Sequence, residues 1–246
     1  MAFRFLARAR TFALLLAFAT AAWAQAPASK PTRILFVGNS LTYTHETPAR
    51  LVKLAKAMGR EVVAESQAYP DFSLEDHWTD GRALAQIRKG GWDIVVLQQG
   101  SSADPGSLAK SVQQFAGPIR EAGARLALFM PWVPSDRARN FPETIAAHRA
   151  AAESSGAILI PVGEAWVRAL SKDRRLKLYG DLVHPTSLGS DLTVLTIYLT
   201  LFPAGPQEFT EEFVARAAKA LDMPADLRDA FFDAATLAID EPMKLK

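Results

Sequence analysis

Arg33-Ile-Leu-Phe-Val-Gly-Asn-Ser-Leu-Thr42 decides the fold. Its first half is a short, continuous apolar run, the pattern of a strand covered on both faces of a sheet. Gly38 and Asn39 end the run, and Ser40 falls just past the strand's carboxyl end. Open α/β sheets hold their ligands at that end. Four further strand candidates follow at Glu61–Ser66, Asp93–Leu97, Leu126–Met130 and Ala157–Pro161. Helical spacing fills the gaps between them. Thr47-Pro48 opens a helix with Leu51, Leu54, Ala55 and Met58 on one face, and Gly59 closes it. Ser73 caps a second helix that carries Leu84 and Ile87, with Glu75 and Asp76 in its first turn. A third runs from Pro105 towards Ala122, with Gly117-Pro118 as a point of interruption. Ile145–Ser154 and Val162–Leu170 complete the alternation, which predicts a doubly wound α/β sheet. Ser187–Leu201 reads as a helix on that sheet. Glu208–Leu221 and Leu227–Ile239 read as a C-terminal helical cover.

The first residues are set apart from the fold. Arg4, Arg8 and Arg10 precede the apolar stretch Thr11–Trp23, and Ala22-Trp23-Ala24 supplies the small residues of a cleavage site. Residues 1–24 are therefore expected to be a signal peptide, 25–32 a short linker, and 33–246 a single domain. The apolar stretch falls short of the roughly 20 residues that span a bilayer, so no stable membrane insertion is expected after cleavage. The expected location is periplasmic or secreted. The whole chain has 28 Lys and Arg against 26 Asp and Glu. The leader takes three arginines and no acid, which leaves 25 against 26, a net charge of −1. With no Lys/Arg cluster, nucleic acid is not an expected partner. The chain has no cysteine, and it is long enough to bury a core without disulfides. No oligomeric state follows from these features.

A second polar cluster, Asp181-Leu-Val-His184-Pro185, lies far downstream of Ser40. Alone, Ser40 reads as a helix cap, His184 as a surface histidine and Asp181 as a turn cap. Together they are the parts of a nucleophilic hydrolase. A serine hydroxyl is weak until a base takes its proton, and an imidazole titrates near working pH. A carboxylate three residues from that imidazole can fix its tautomer. Other side chains are weaker candidates. His77 and Trp132 are read as possible substrate contacts, with a helix surface and core packing as their plainer alternatives. Trp78 is a further stacking candidate. His45 follows the nucleophile segment and lines either a pocket or an exposed loop. His148 is read as an ordinary helix residue. The histidines show no carboxylate spacing that specifies zinc, and neither a phosphate loop nor a dinucleotide fingerprint is present. No metal or cofactor is expected.

Gly38-Asn39-Ser40-Leu41 and Asp181-Leu182-Val183-His184-Pro185 resemble the nucleophile block and the terminal Asp-x-x-His block of the SGNH, or GDSL-type, hydrolases. The resemblance extends from Ile34 to about Leu201. It implies a three-layer α/β/α sandwich with a mostly parallel five-stranded, flavodoxin-like sheet, and a catalytic set of Ser40, His184 and Asp181. That family acts mainly on esters, among them lipid esters, thioesters and O-acetylated sugars. Two blocks depart from its pattern. Asp71, in Pro70-Asp71-Phe72-Ser73-Leu74, stands where the family has an oxyanion-hole glycine. Gln98-Gln99-Gly100-Ser101-Ser102 replaces the third block, with Ser102 in the asparagine place. Ser40, Asp71, Gln98, Gln99 and Ser102 are thus the oxyanion candidates. The expected function is an exported serine esterase acting on small acyl esters, including O-acetyl groups on a carbohydrate. A noncatalytic carbohydrate-binding or envelope protein, and a lipase or lysophospholipase, are the alternatives.

Overall fold

The computed structural model describes residues 30–100, 104–205 and 208–244. The expected signal peptide, and Ser102 among the oxyanion candidates, lie outside the described residues.

Five strands form one sheet: β1 (Thr32–Gly38), β2 (Val62–Ala68), β3 (Ile94–Gln98), β4 (Arg125–Phe129) and β5 (Ile158–Ile160). Their order is β2-β1-β3-β4-β5, and every pairing is parallel. The helices are α1 (Ser40–Tyr43), α2 (Thr47–Ala57), α3 (Leu74–Asp80), α4 (Arg82–Lys89), α5 (Pro105–Glu121), α6 (Phe141–Ser155), α7 (Val162–Lys172), α8 (Ser187–Leu201), α9 (Glu211–Ala220) and α10 (Arg228–Asp240).

Alternation along β1 shows why the run is apolar throughout. Ile34 and Phe36 join one buried cluster with side chains of α2, α7, α8, α9 and α10. Leu35 and Val37 join another with side chains of α3, α4, α5 and α6. β3 and β4 divide in the same way. A parallel sheet covered on both faces has no wet side on which to place polar residues. The result is the three-layer α/β/α sandwich with a flavodoxin-like strand order. α9 and α10 close the first layer: Phe213, Phe231, Phe232 and Ala235 are buried in its core.

Two details differ from expectation. The helix capped by Ser73 is two helices, because Gly81 adopts φ +81° and ends α3 by accepting the left-handed turn. Conversely, α5 passes unbroken through Gly117-Pro118. Pro118 lies near its end, and burial of Phe115, Ala116 and Ile119 on either side holds the turn in place.

The strand order reverses at β1, which lies between β2 and β3. The loops after β1 and β3 diverge there and open a crevice at the carboxyl edge. Ser40 and Gln98 stand at that point.

Candidate active site

β1 leads directly into Ser40. Asn39 caps α1: its Oδ1 accepts the Leu41 N–H at 3.1 Å, and Ser40 becomes the first helical residue. An N–H at that position has no partner inside the helix. The Asn39 Nδ2 donates to the Phe72 carbonyl at 3.1 Å, which ties the turn to the loop after β2. Beneath the turn lies Gln98, fully buried. Its Oε1 accepts from the Asn39 N–H at 3.0 Å and from the Thr42 hydroxyl at 2.8 Å. Gly38 must be a glycine here. A Cβ would come 2.4 Å from Thr42 Oγ1 and 2.6 Å from Gln98 Oε1.

The loop before α8 carries Asp181 and His184. Gly180 N–H donates to the His184 carbonyl at 2.8 Å and Thr186 N–H to the Leu178 carbonyl at 2.8 Å, so the loop closes on itself. Asp181 organises its tip. Asp181 Oδ1 accepts the backbone N–H groups of Val183 at 2.7 Å and His184 at 2.6 Å. Asp181 Oδ2 accepts from His184 Nδ1 at 2.9 Å. With Nδ1 protonated, His184 Nε2 is the acceptor, and it lies 3.0 Å from Ser40 Oγ. The hydrogen bond from His184, then the two backbone bonds, pull the Asp181 carboxyl down to about 2. The His184 and Asp181 side chains are 41% and 60% exposed, so the set faces solvent.

The loop after β2 carries Asp71. Phe72 N–H bonds back to the Tyr69 carbonyl at 3.3 Å, and Asp71 has φ +59°. With Pro70 before it, Asp71 takes the turn position that glycine usually fills. Among the described residues, no acceptor takes the Asp71 N–H.

Several expected site residues have other work. His77 is a correction: it is 0% exposed, between Tyr69 and Phe72, and its Nε2 donates to the Gly38 carbonyl at 2.7 Å. Burial lowers its pKa, which suits a neutral ring under the nucleophile turn. Trp132 is the second correction. It is 1% exposed and stacks on Trp166 with ring centroids 4.0 Å apart, so no sugar can lie on it. Its indole N–H donates to the Val183 carbonyl at 2.8 Å, beside His184, and so steadies the histidine loop. Trp78 packs edge-on against Phe115. Gln98 and Gln99 are corrections as oxyanion donors. Gln98 Nε2 is sealed from solvent. Gln99 accepts from the Leu74 N–H at 3.3 Å and donates to Ser107 Oγ at 3.2 Å, which joins β3 to α3 and α5. The hub role of Asn39 was not foreseen. Its position directly before a strand-end serine was the available signal, since asparagine is a preferred helix cap. Among the described residues, no group of three or more His, Asp or Glu side chains could hold a metal ion.

No family profile and no curated protein matches this chain. Solved structures do. A protein from Slackia heliotrinireducens assigned as an SGNH hydrolase shares 28% identity at a TM-score of 0.59, over 70% of this chain and 100% of that one. The acetyl xylan esterase AlAXEase superposes at a TM-score of 0.60 with 14% identity, over 69% and 100% of the two chains. A lipase/acylhydrolase from Enterococcus faecalis gives 0.57 and 16%, over 69% and 95%. The chain has the SGNH-like α/β hydrolase fold.

Proposed function

We propose that this chain, folded as the SGNH/GDSL-type hydrolases are, is an exported serine esterase that removes small acyl groups, with O-acetylated carbohydrate as its substrate class. The observation that carries the reading is the unbroken run Asp181 Oδ2–His184 Nδ1 at 2.9 Å and His184 Nε2–Ser40 Oγ at 3.0 Å. Both distances are within reach for proton transfer. In the proposed reaction, Ser40 Oγ attacks the ester carbonyl while His184 takes its proton. His184 then protonates the leaving alcohol. Water, deprotonated by His184, attacks the acyl-enzyme and frees Ser40. The oxyanion donors in this reading are the backbone N–H groups of Ser40 and Asp71, the latter presented by its left-handed turn. Asp71 itself is exposed, which keeps its carboxylate in water.

Two features favour a small acyl group on a solvated carrier. The triad is open to solvent, and an acetyl xylan esterase is among the structural neighbours. A long acyl chain would need an apolar trough beginning at Ser40. Among the described residues, an apolar cavity of about 590 Å³ between α6, α7 and the C-terminal segment is lined by Phe141, Ile145, Leu170 and Met243, with no triad residue in its lining. The test is a panel of p-nitrophenyl esters of increasing chain length beside acetylated xylooligosaccharides. The expected result is turnover highest for acetyl and present on the saccharides. Activity that climbs with chain length would turn the reading to a lipase, and saccharide binding without any turnover would turn it to a noncatalytic protein. Export belongs to the same proposal: the N-terminal residue of the secreted protein should be Gln25.

A further inference from the structure

Between α1 and α2 the chain passes through two consecutive left-handed residues, His45 at φ +52° and Glu46 at φ +56°. Neither is a glycine. Such a backbone is strained for a side chain of this size, and it persists where the surroundings over-determine it, most often beside a functional site. The turn sets the His45 ring against the loop that carries His184. Its Nε2 lies 3.1 Å from the carbonyl oxygen of Pro185, the residue after His184. A carbonyl only accepts, so His45 Nε2 carries the proton and donates it.

This bond has a place that the other contacts of the loop leave open. Trp132 and Ser135 hold the histidine loop from the β4 side, through the Val183 and Leu182 carbonyls. Arg50 reaches it only beyond, at Ser187, where α8 has begun. His45 grips the residue next to the base, and it does so from the segment that carries the nucleophile. We propose that His45 is a positioning residue: it pins the histidine loop to the nucleophile segment, and so sets the Ser40–His184 separation. The strain at His45 is the local cost of aiming the ring there. The inference rests on the Ser40/His184/Asp181 reading above.

The experiment compares His45→Gly, which removes both the strain and the bond, with Glu46→Gly, which removes neighbouring strain and keeps the bond. The readouts are kcat and KM on p-nitrophenyl acetate, Tm, and amide exchange at Gly180 and Thr186 inside the loop. In His45→Gly we expect kcat to fall by about tenfold or more with KM held, since small misplacements of reacting groups act on the chemical step. Its Tm should equal or exceed that of the wild type, and exchange at the two amides should quicken. Glu46→Gly should keep the wild-type kcat. A wild-type kcat in His45→Gly, an equal loss in both variants, or unchanged exchange at Gly180 and Thr186 would overturn the proposal. A wild-type protein that turns over no ester would fail the esterase reading instead, and the exchange measurement alone would then decide whether His45 holds the loop.

Discussion

Both carboxylate oxygens of Asp181 act on one short loop, and this concentration makes the residue sensitive to a single-atom change. Oδ1 fixes the backbone of Val183 and His184, while Oδ2 fixes the imidazole. In Asp181→Asn the amide can still accept at Oδ1, but its NH₂ would face His184 Nδ1. The ring would then carry its proton on Nε2, pointing at Ser40, and could not act as base. We expect kcat to fall by about 10³–10⁴-fold with the fold intact, in keeping with the cost of a wrong tautomer in such triads. Steady-state kinetics beside circular dichroism would show this. The carboxyl should also titrate near pH 2, and a carbon-13 carboxyl titration reads that directly. The sign follows from a folded value below the unfolded 3.8. The bonds of Asp181 contribute fully above pH 3.8 and are lost as the pH falls through about 2. The acid limb of the activity profile is therefore not set by Asp181. The Asp-x-x-His spacing made this pairing legible beforehand, because three residues of separation let one turn close on itself. The burial of His77 and Trp132 was not legible. Both are amphipathic rings, and which end stays wet depends on neighbours far away in the chain.

At the scale of elements, the site depends on what lies under β1 and on how α2 meets α8. Gln98 ends β3 with its Oε1 shared by Asn39 N–H and the Thr42 hydroxyl, both buried. Gln98→Leu would leave those two donors unpaired. Stability should fall by about 2–4 kcal/mol, with a lower urea midpoint and little change in slope. At the α2–α8 contact, Arg50 Nη2 lies 2.8 Å from Asp191 Oδ1, and the Asp191 side chain is 4% exposed. Burial outweighs that neighbour and raises the Asp191 carboxyl to about 7. A folded value above the unfolded 3.8 reverses the Asp181 logic. The contribution is full below pH 3.8 and shrinks as the pH climbs through about 7. Burial moves His148 the other way, from 6.5 to about 4, so stability is lost as the pH drops from 6.5 towards 4. Between those limits the two slopes oppose each other. Asp191→Asn removes one of them. Its Tm should exceed that of the wild type at pH 8, and the gap should narrow as the pH falls towards 4; calorimetry across that range would test it. A buried aspartate inside the apolar face of α8 carried no warning in the sequence, since Ser187–Leu201 reads there as a plain helix.

At the scale of the whole molecule, a carboxyl-edge turn and the loop before α8 meet across a sheet built from five separate strands. Much of this architecture was legible. Four apolar runs and a more polar edge strand, Val62–Ala68, alternating with helices leave few topologies, and a strand with both faces covered announces itself by lacking any polar alternation. Element ends were less legible, as at Gly81 and Pro118, because local breakers compete with packing that only the folded chain supplies. The residues proposed as oxyanion donors were the least legible. Asp71 holds φ +59°, a left-handed conformation that its side-chain identity does not announce. The account stands on the claim that Ser40 is the nucleophile of this assembled site. The most direct test is peptide mass spectrometry after reaction with a fluorophosphonate, for the wild type and for Ser40→Ala and His184→Ala. We predict a stoichiometric adduct on Ser40, none in Ser40→Ala, and labelling slowed by orders of magnitude in His184→Ala. An adduct on another residue, or labelling of Ser40 at the same rate without His184, would contradict it.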